Sequence, residues 1–198
     1  MNMAKMLKRR TYTMLMREKH MTQMLDALVY LKRMRVVHRD IKPQNLMVHF
    51  SKGLKIVDFG LARVHVEGRA NTLPVCTLWY RPVDLCMGRT HYGFDVDVWS
   101  AGCVLFECFA GKVAFRSEWD WEQIINVCRL LGTPSASALD DLPFSVPELP
   151  KFRSTIEAAY TGRFLSLLQG MLHLDFKRRY TIETAASEYR LLRGQTCS

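Results

Sequence analysis

Asp40, Lys42 and Asn45 stand within six residues of one another in His38-Arg39-Asp40-Ile41-Lys42-Pro43-Gln44-Asn45. Pro43 fixes its own φ and pushes Lys42 away from helical geometry, so the segment reads as a shaped loop. A second acid follows at Asp58, in Asp58-Phe59-Gly60. One carboxylate can orient a hydroxyl nucleophile. A second carboxylate and an amide can hold Mg²⁺, which prefers oxygen ligands and bridges phosphates. A lysine beside them can stabilise charge on a moving phosphoryl group. Phosphoryl transfer is the chemistry that uses this set.

These residues need elements to position them. Leu46 to Phe50 is apolar and β-leaning, Ser51-Lys52-Gly53 turns, and Leu54 to Val57 runs back. Two short strands around a turn form a hairpin, which returns Asp58 to the end carrying Asp40 and Asn45. Upstream, Met3 to Arg10 is a short, basic, helix-compatible piece. From Arg17 to Met34, the residues Met21, Met24, Leu25, Leu28, Val29 and Leu31 recur at helical spacing and lead into the loop. His38 is a packed loop residue with no second ligand at metal-binding spacing.

Leu61 to Pro82 has little apolar periodicity and reads as a mobile loop. Asp97-Val98-Trp99-Ser100-Ala101-Gly102 opens a helix that is apolar nearly all round, which belongs at the centre of a core. Ser117 and Asp120 form a capping-box-like start to a further helix, stopped by Gly132-Thr133-Pro134. Phe164 to Leu172 and Ile182 to Leu192 read as two closing helices.

The chain has 198 residues, 48% of them hydrophobic, with a net charge of +9. That length suits one domain or one large lobe. Residues 1–42 carry eleven Lys/Arg against Glu18, Asp26 and Asp40, a local surplus of eight. Such a surplus serves an acidic partner or is simply a solvated helix face. Nucleic acid is disfavoured, because no aromatic residues interleave with the charges to stack bases. The six cysteines form no Cys-x-x-Cys pair, which suits a reducing compartment, nucleus or cytoplasm. The most apolar run, Ala101 to Phe115, is too short to span a bilayer.

The loop with its Asn, followed by Asp58-Phe59-Gly60, matches the catalytic signature of protein kinases in order and spacing. Thr77-Leu78-Trp79-Tyr80-Arg81, Asp97-Val98-Trp99 and Leu174-Asp175-Phe176-Lys177-Arg178-Arg179 extend the match. The chain resembles the C-terminal lobe of the eukaryotic protein kinases, cyclin-dependent kinase-like (CMGC) group. Pro82 makes it most similar to the transcription-associated members.

The resemblance implies a protein kinase-like α+β fold over residues 1–198: a mostly helical C-lobe with a small catalytic β-hairpin and the N-lobe absent. The catalytic loop spans 38–45, the activation segment 58–84 and a CMGC-type insert about 133–154. It implies transfer of the ATP γ-phosphate, with Mg²⁺, to Ser or Thr of protein substrates, and a proline after the target. Asp40 is then the base, Lys42 the charge stabiliser, and Asn45 and Asp58 the metal and cofactor ligands. Thr77 ties the activation segment to Asp40. Thr72, five residues before Thr77, inherits a phosphosite gathered by Arg39 and Arg63. Asp84 pairs with Arg179, across a water or a small shift, because Asp84 stands where the family has Glu. Asp97 braces the catalytic loop or merely caps its helix. Phe176 replaces the family's Pro.

No Gly-x-Gly-x-x-Gly precedes the loop, and the first glycine is Gly53. The strand lysine, the hinge and the main cyclin-docking helix have no counterpart either. Two alternatives to an active kinase follow: an inactive truncated lobe that binds partners, or an incomplete gene model of an active enzyme.

Overall fold

The computed structural model describes residues 1–49, 51–71, 75–139 and 149–194. Two helices make its frame. The first, α2 (Met14–Arg33), begins three residues earlier than the apolar spacing suggests, because the Thr13 hydroxyl accepts the Met16 N–H at 3.4 Å. Lys32 and Arg33 occupy its last turn, where cations suit the helix dipole. Met21, Met24, Leu25 and Leu28 are buried.

They face α4 (Asp95–Ala110), which is buried on almost every side, from Val96 through Trp99 and Val104 to Cys108. Helix α8 (Leu165–Met171) crosses α4 at Gly102. A Cβ there would lie 2.9 Å from Leu172 Cδ2 and 3.1 Å from Met171 Cβ, so only glycine permits the approach. Helix α9 (Ile182–Gly194) closes the core against α2.

The hairpin pairs β2 (Leu46–His49) with β3 (Gly53–Ile56), antiparallel, in register Leu46↔Ile56 to His49↔Gly53. Gly53 turns at φ +72°. A side chain there would strike Gln23, whose Oε1 accepts the Leu54 N–H at 3.0 Å and ties the hairpin to α2. The opposite edge of β2 bridges Asn2 to Met47, at the start of α1 (Met3–Leu7). Helix α1 is shorter than the Met3–Arg10 expectation, because beyond Leu7 the run Lys8-Arg9-Arg10 offers no apolar face to bury.

Two expectations are corrected. The 61–82 stretch is not wholly loop: β4 (Arg63–Val64) pairs antiparallel with β1 (Val36–Val37), joining three β-branched valines. The capping box at Ser117 and Asp120 does not form. Asp120 is drawn to Arg81 at 2.5 Å, and the first turn of α5 (Asp120–Leu131) is instead closed by Glu122, which accepts the Glu118 N–H at 2.7 Å. The short helices α3 (Val83–Cys86), α6 (Ala136–Leu139) and α7 (Ile156–Ala159) carried no sequence signal of their own. Part of the 133–154 insert, residues 140–148, lies outside the described residues. Among those described, no helix is long and apolar enough to cross a membrane.

Large apolar side chains at Met34, Phe59, Leu61, Val64 and Val66 stay exposed, Val64 to 62%. Exposed apolar surface of this kind favours association. Sedimentation velocity of the 198-residue chain is expected to show concentration-dependent self-association, weakened by Leu61→Ser with Val64→Ser. A monomer at every concentration would count against it.

Candidate active site

Asp40 is where four elements meet. Its Oδ1 accepts the Thr77 hydroxyl at 2.8 Å and the Thr77 N–H at 3.1 Å. Its Oδ2 accepts the Asn45 amide at 2.9 Å and lies 2.7 Å from Lys42 Nζ. Lys42 Nζ also donates to the Thr77 hydroxyl at 2.7 Å. Burial opposes ionisation of Asp40. The bonds from Lys42 and Thr77 outweigh it and hold the carboxyl below its ordinary pKa. An ionised but weakly basic carboxylate is better suited to orienting a hydroxyl than to removing its proton early.

The hairpin brings the oxygen ligands together. The register that closes at Leu46↔Ile56 lets the Val57 N–H donate to the Asn45 carbonyl at 3.0 Å, which sets Asp58 one residue beyond. The Asn45 amide nitrogen is committed to Asp40, both to its carbonyl and to its carboxylate, so the amide oxygen remains as the acceptor. Asp58 sits at φ +66°, a left-handed conformation costing about 1–3 kcal/mol for a non-glycine residue, and its Oδ1 accepts the Gly60 N–H at 3.4 Å. His38 is fully buried beneath it. Its Nε2 bonds the Val57 carbonyl at 3.1 Å, and its ring meets Phe59 edge-on at 4.9 Å. Burial lowers the His38 pKa, so the imidazole is neutral. The donor set is hard oxygen, two ligands from the protein, which fits Mg²⁺: it keeps waters and takes phosphate oxygens for the rest. Among the described residues no cluster of three His, Cys, Asp or Glu offers a softer site.

Asp97 lies within the first turn of α4, and its side chain does not cap the helix. Instead its two oxygens accept the backbone N–H groups of His38 at 2.7 Å and Arg39 at 2.9 Å. Burial pushes its pKa up to about 7, against the pull of those two donors. Arg39 is held at φ +65° and spends its side chain on the Leu61 carbonyl at 2.6 Å and the Tyr92 hydroxyl at 3.2 Å. The Arg63 charge also acts on that hydroxyl, so the two arginines share a neighbour. Thr72, their expected phosphosite partner, lies outside the described residues.

Asp84 and Arg179 meet at 2.6 Å, so the expected pair forms by direct contact. Asp84 also takes Arg89 at 2.8 Å, and Asp95 joins both arginines, at 2.7 Å to Arg89 and 3.4 Å to Arg179. Arg89 lies 3.5 Å from the centre of the Phe176 ring. Arg89 and Asp95 were not foreseen, since nothing in their neighbourhood sets them apart as sequence. Arg81 was legible only as part of a motif. Here its Nε donates to the Val75 carbonyl at 2.9 Å and its Nη2 to the Cys76 carbonyl at 3.0 Å, with Cys76 at φ +62°. Burial pushes the Cys76 thiol far up.

Comparison with known proteins places this geometry. Residues 1–189 match the protein kinase domain family. A probable cell division protein kinase of Encephalitozoon cuniculi is 37% identical over 171 residues, 80% of this chain and 52% of that protein. Cyclin-dependent kinase 2 of Caenorhabditis elegans is 36% identical over 186 residues, 89% of this chain and 50% of that one. The chain thus spans about half the length of these curated relatives. In the solved structures, the yeast RNA Pol II CTD kinase CTDK-1 complex contains a chain with a TM-score of 0.87 and 29% identity, covering 94% of this chain and 66% of that one.

Asp84→Asn is expected to cost about 3–5 kcal/mol in urea unfolding, because it leaves the fully buried Arg179 side chain with only the longer contact to Asp95. The pH dependence has a definite sign. Burial raises the Asp84 pKa, Arg179 and Arg89 lower it further, and the net is a depressed value. Its stabilisation is therefore present above the unfolded carboxyl pKa of about 3.9 and is lost as pH falls below it. The Asn variant should lose less stability between neutral pH and pH 3 than the parent. Parallel acid limbs would overturn this. Asp97→Asn, which gives up one of two acceptor oxygens, is expected to cost about 1–3 kcal/mol. It should also speed hydrogen exchange at His38 and Arg39, and unchanged exchange there would refute the brace.

Proposed function

Since this chain belongs to the protein kinase family, in its cyclin-dependent kinase-like branch, we propose that it is the catalytic lobe of a proline-directed serine/threonine kinase. Asp40 orients the hydroxyl of a protein Ser or Thr toward the γ-phosphate of ATP and accepts its proton as the bond forms. Thr77 holds Asp40 from the activation segment, and Lys42 faces the oxygens on which charge develops. Asn45 and Asp58 would hold Mg²⁺, which when bound neutralises phosphate charge. The observation that carries the reading is the convergence of Thr77, Lys42 and Asn45 on the single carboxylate of Asp40.

Support for the proline preference comes from Cys76. A substrate lying across Asp40 passes its next residue beside this position, one before Thr77. The Cys76 carbonyl already accepts from Arg81, which leaves it a poorer acceptor for a substrate N–H. An N–H left unpaired there costs about 1–3 kcal/mol, and proline has none to lose. Pro82 and the likeness to a kinase named for the RNA polymerase II C-terminal domain support a transcription-associated member, and the likeness to a cyclin-dependent kinase supports a cyclin-type partner.

The rival reading is a binding module without catalysis, and transfer of phosphate distinguishes the two. Given Mg²⁺-ATP and a Ser-Pro peptide, the 198-residue chain alone is expected to transfer no phosphate above an Asp40→Asn control. Fused behind the glycine-rich lobe of a cyclin-dependent relative, it should phosphorylate the peptide and lose about 10²-fold or more with Asp40→Asn. Arg81→Ala in the fusion should narrow the preference for Ser-Pro over Ser-Ala. A folded, ATP-binding fusion no faster than its Asp40→Asn variant would favour the binding module.

A further inference from the structure

We propose that Arg89 is a positioning residue of the site. Backed by Phe176, it completes a grip on Asp84 that Arg179 alone leaves at a single point, and so holds residues 75–81 in place against Asp40. This rests on the kinase reading and deepens it, while the mechanical part stands without it.

Arg179 meets the Asp84 carboxylate through one nitrogen. Its Nη2 donates to Asp84 Oδ1 at 2.6 Å, its Nε donates to the His173 carbonyl at 3.2 Å, and its Nη1 reaches Asp95 Oδ2 at 3.4 Å. A carboxylate held at one point can pivot about that bond, whereas two points fix its plane. Arg89 supplies the second point: its Nη1 donates to Asp84 Oδ2 at 2.8 Å. The Arg89 backbone N–H donates to the Asp84 carbonyl at 3.0 Å, so main chain and side chain are both tied.

Arg89 is itself held on every side. Its Nε donates to the His91 carbonyl at 2.7 Å, and its Nη1 also meets Asp95 Oδ2 at 2.7 Å. Asp95 Oδ1 in turn accepts the Gly93 N–H at 2.9 Å. The Phe176 ring lies over the guanidinium at 3.5 Å, and Arg89 is 8% exposed. A planar guanidinium with a ring on its face and acceptors along its edge has one orientation; a lysine ammonium has no such face. Its partners come from three places: α3 holds Asp84, the first turn of α4 holds Asp95, and Phe176 lies between α8 and α9.

Two positions where this chain departs from its family's pattern thus converge on one residue. Asp84 stands where the family carries Glu and has less reach. Phe176 stands where the family carries Pro and gives Arg89 its platform. Two unrelated departures have no reason to share a neighbour. Helix α3 passes the grip on to the site. The Pro82 carbonyl accepts the N–H groups of Leu85 at 3.1 Å and Cys86 at 3.2 Å, which couples Asp84 to the Arg81 backbone within one turn. Arg81 holds the carbonyls of Val75 and Cys76, and Thr77, next along, donates to Asp40.

The test is native-state hydrogen exchange of the 198-residue chain, read on peptides covering residues 75–81 and, in the core of α4, residues 98–108. Arg89→Met, which removes the charge and keeps an apolar stem on Phe176, is expected to speed exchange over 75–81 about tenfold. Phe176→Leu, which keeps the charge and removes the ring, should speed it about threefold. Neither should change 98–108 by more than about twofold. Asp84→Glu added to Arg89→Met should bring 75–81 back to within about twofold of the parent, because the longer acid reaches Arg179 unaided. Equal acceleration of both peptides marks Arg89 as merely structural and overturns the proposal. So does a double variant as fast as Arg89→Met alone. Should Arg89→Met not fold, Phe176→Leu exchanging at the parent rate overturns it as well. In the fusion with a glycine-rich lobe, Arg89→Met should lower kcat about threefold or more with the KM for ATP unchanged, and Asp84→Glu should restore it. A fusion that transfers no phosphate in any variant, with the exchange pattern as expected, overturns the kinase reading and leaves Arg89 as the anchor of residues 75–81.

Discussion

Two backbone N–H groups, those of His38 and Arg39, end on the one buried carboxylate of Asp97. The catalytic loop takes its shape from that contact. Arg39 is held in the left-handed region at a cost of about 1–3 kcal/mol. A typical hydrogen bond contributes about 0.5–1.5 kcal/mol, so two of them offset strain of that order. The anchor matters because α4, which carries Asp97, is the most enclosed helix of the protein. A loop fastened there inherits the rigidity of the core, and Asp40, one residue on, is placed by it.

A second constraint fixes the stretch that carries Thr77 and Arg81 from behind. Asp84, Asp95, Arg89 and Arg179 form two acids and two cations, closely matched, with Arg179 and Asp84 almost wholly buried. Such a cluster is a weak source of net stability against apolar side chains of the same shape, but each member is expensive to remove alone. Its role here is placement. Pinning Asp84 sets the position of Arg81, which in turn holds the carbonyls of Val75 and Cys76. Phe176, lying over the Arg89 guanidinium, covers the cluster from the side. Asp84 is one methylene shorter than the glutamate the family carries, and it is reached by two arginines.

Much of the site was legible because it is local. Asp40, Lys42 and Asn45 share one loop, and the hairpin that returns Asp58 is a two-strand, one-turn unit whose period and turn residues are written in sequence. The core helices were legible for the same reason, through Met21, Met24, Leu25 and Leu28 on one face. What was hidden depends on distant partners. Arg89 and Asp95 gain meaning only when Arg179, 84 residues beyond Asp95, comes to meet them. The capping box at Ser117 and Asp120 failed because Arg81, far back in the chain, claims the Asp120 carboxylate. The pairing of Val64 with Val36 needed the loop to close first. The left-handed turn at Cys76 has no residue signal at all, since cysteine gives no hint of positive φ.

That same residue has a further consequence. The Cys76 thiol is sealed in the interior, and burial keeps it protonated, so a thiol reagent in solution meets no nucleophile there. Labelling must wait until the segment lifts away from Arg81 and the core beneath it. The rate of covalent capture then measures how often that stretch opens, and not how reactive its sulfur is. Cys76 is in this sense a clock built into the stretch beside Asp40, running at the frequency with which that stretch comes apart.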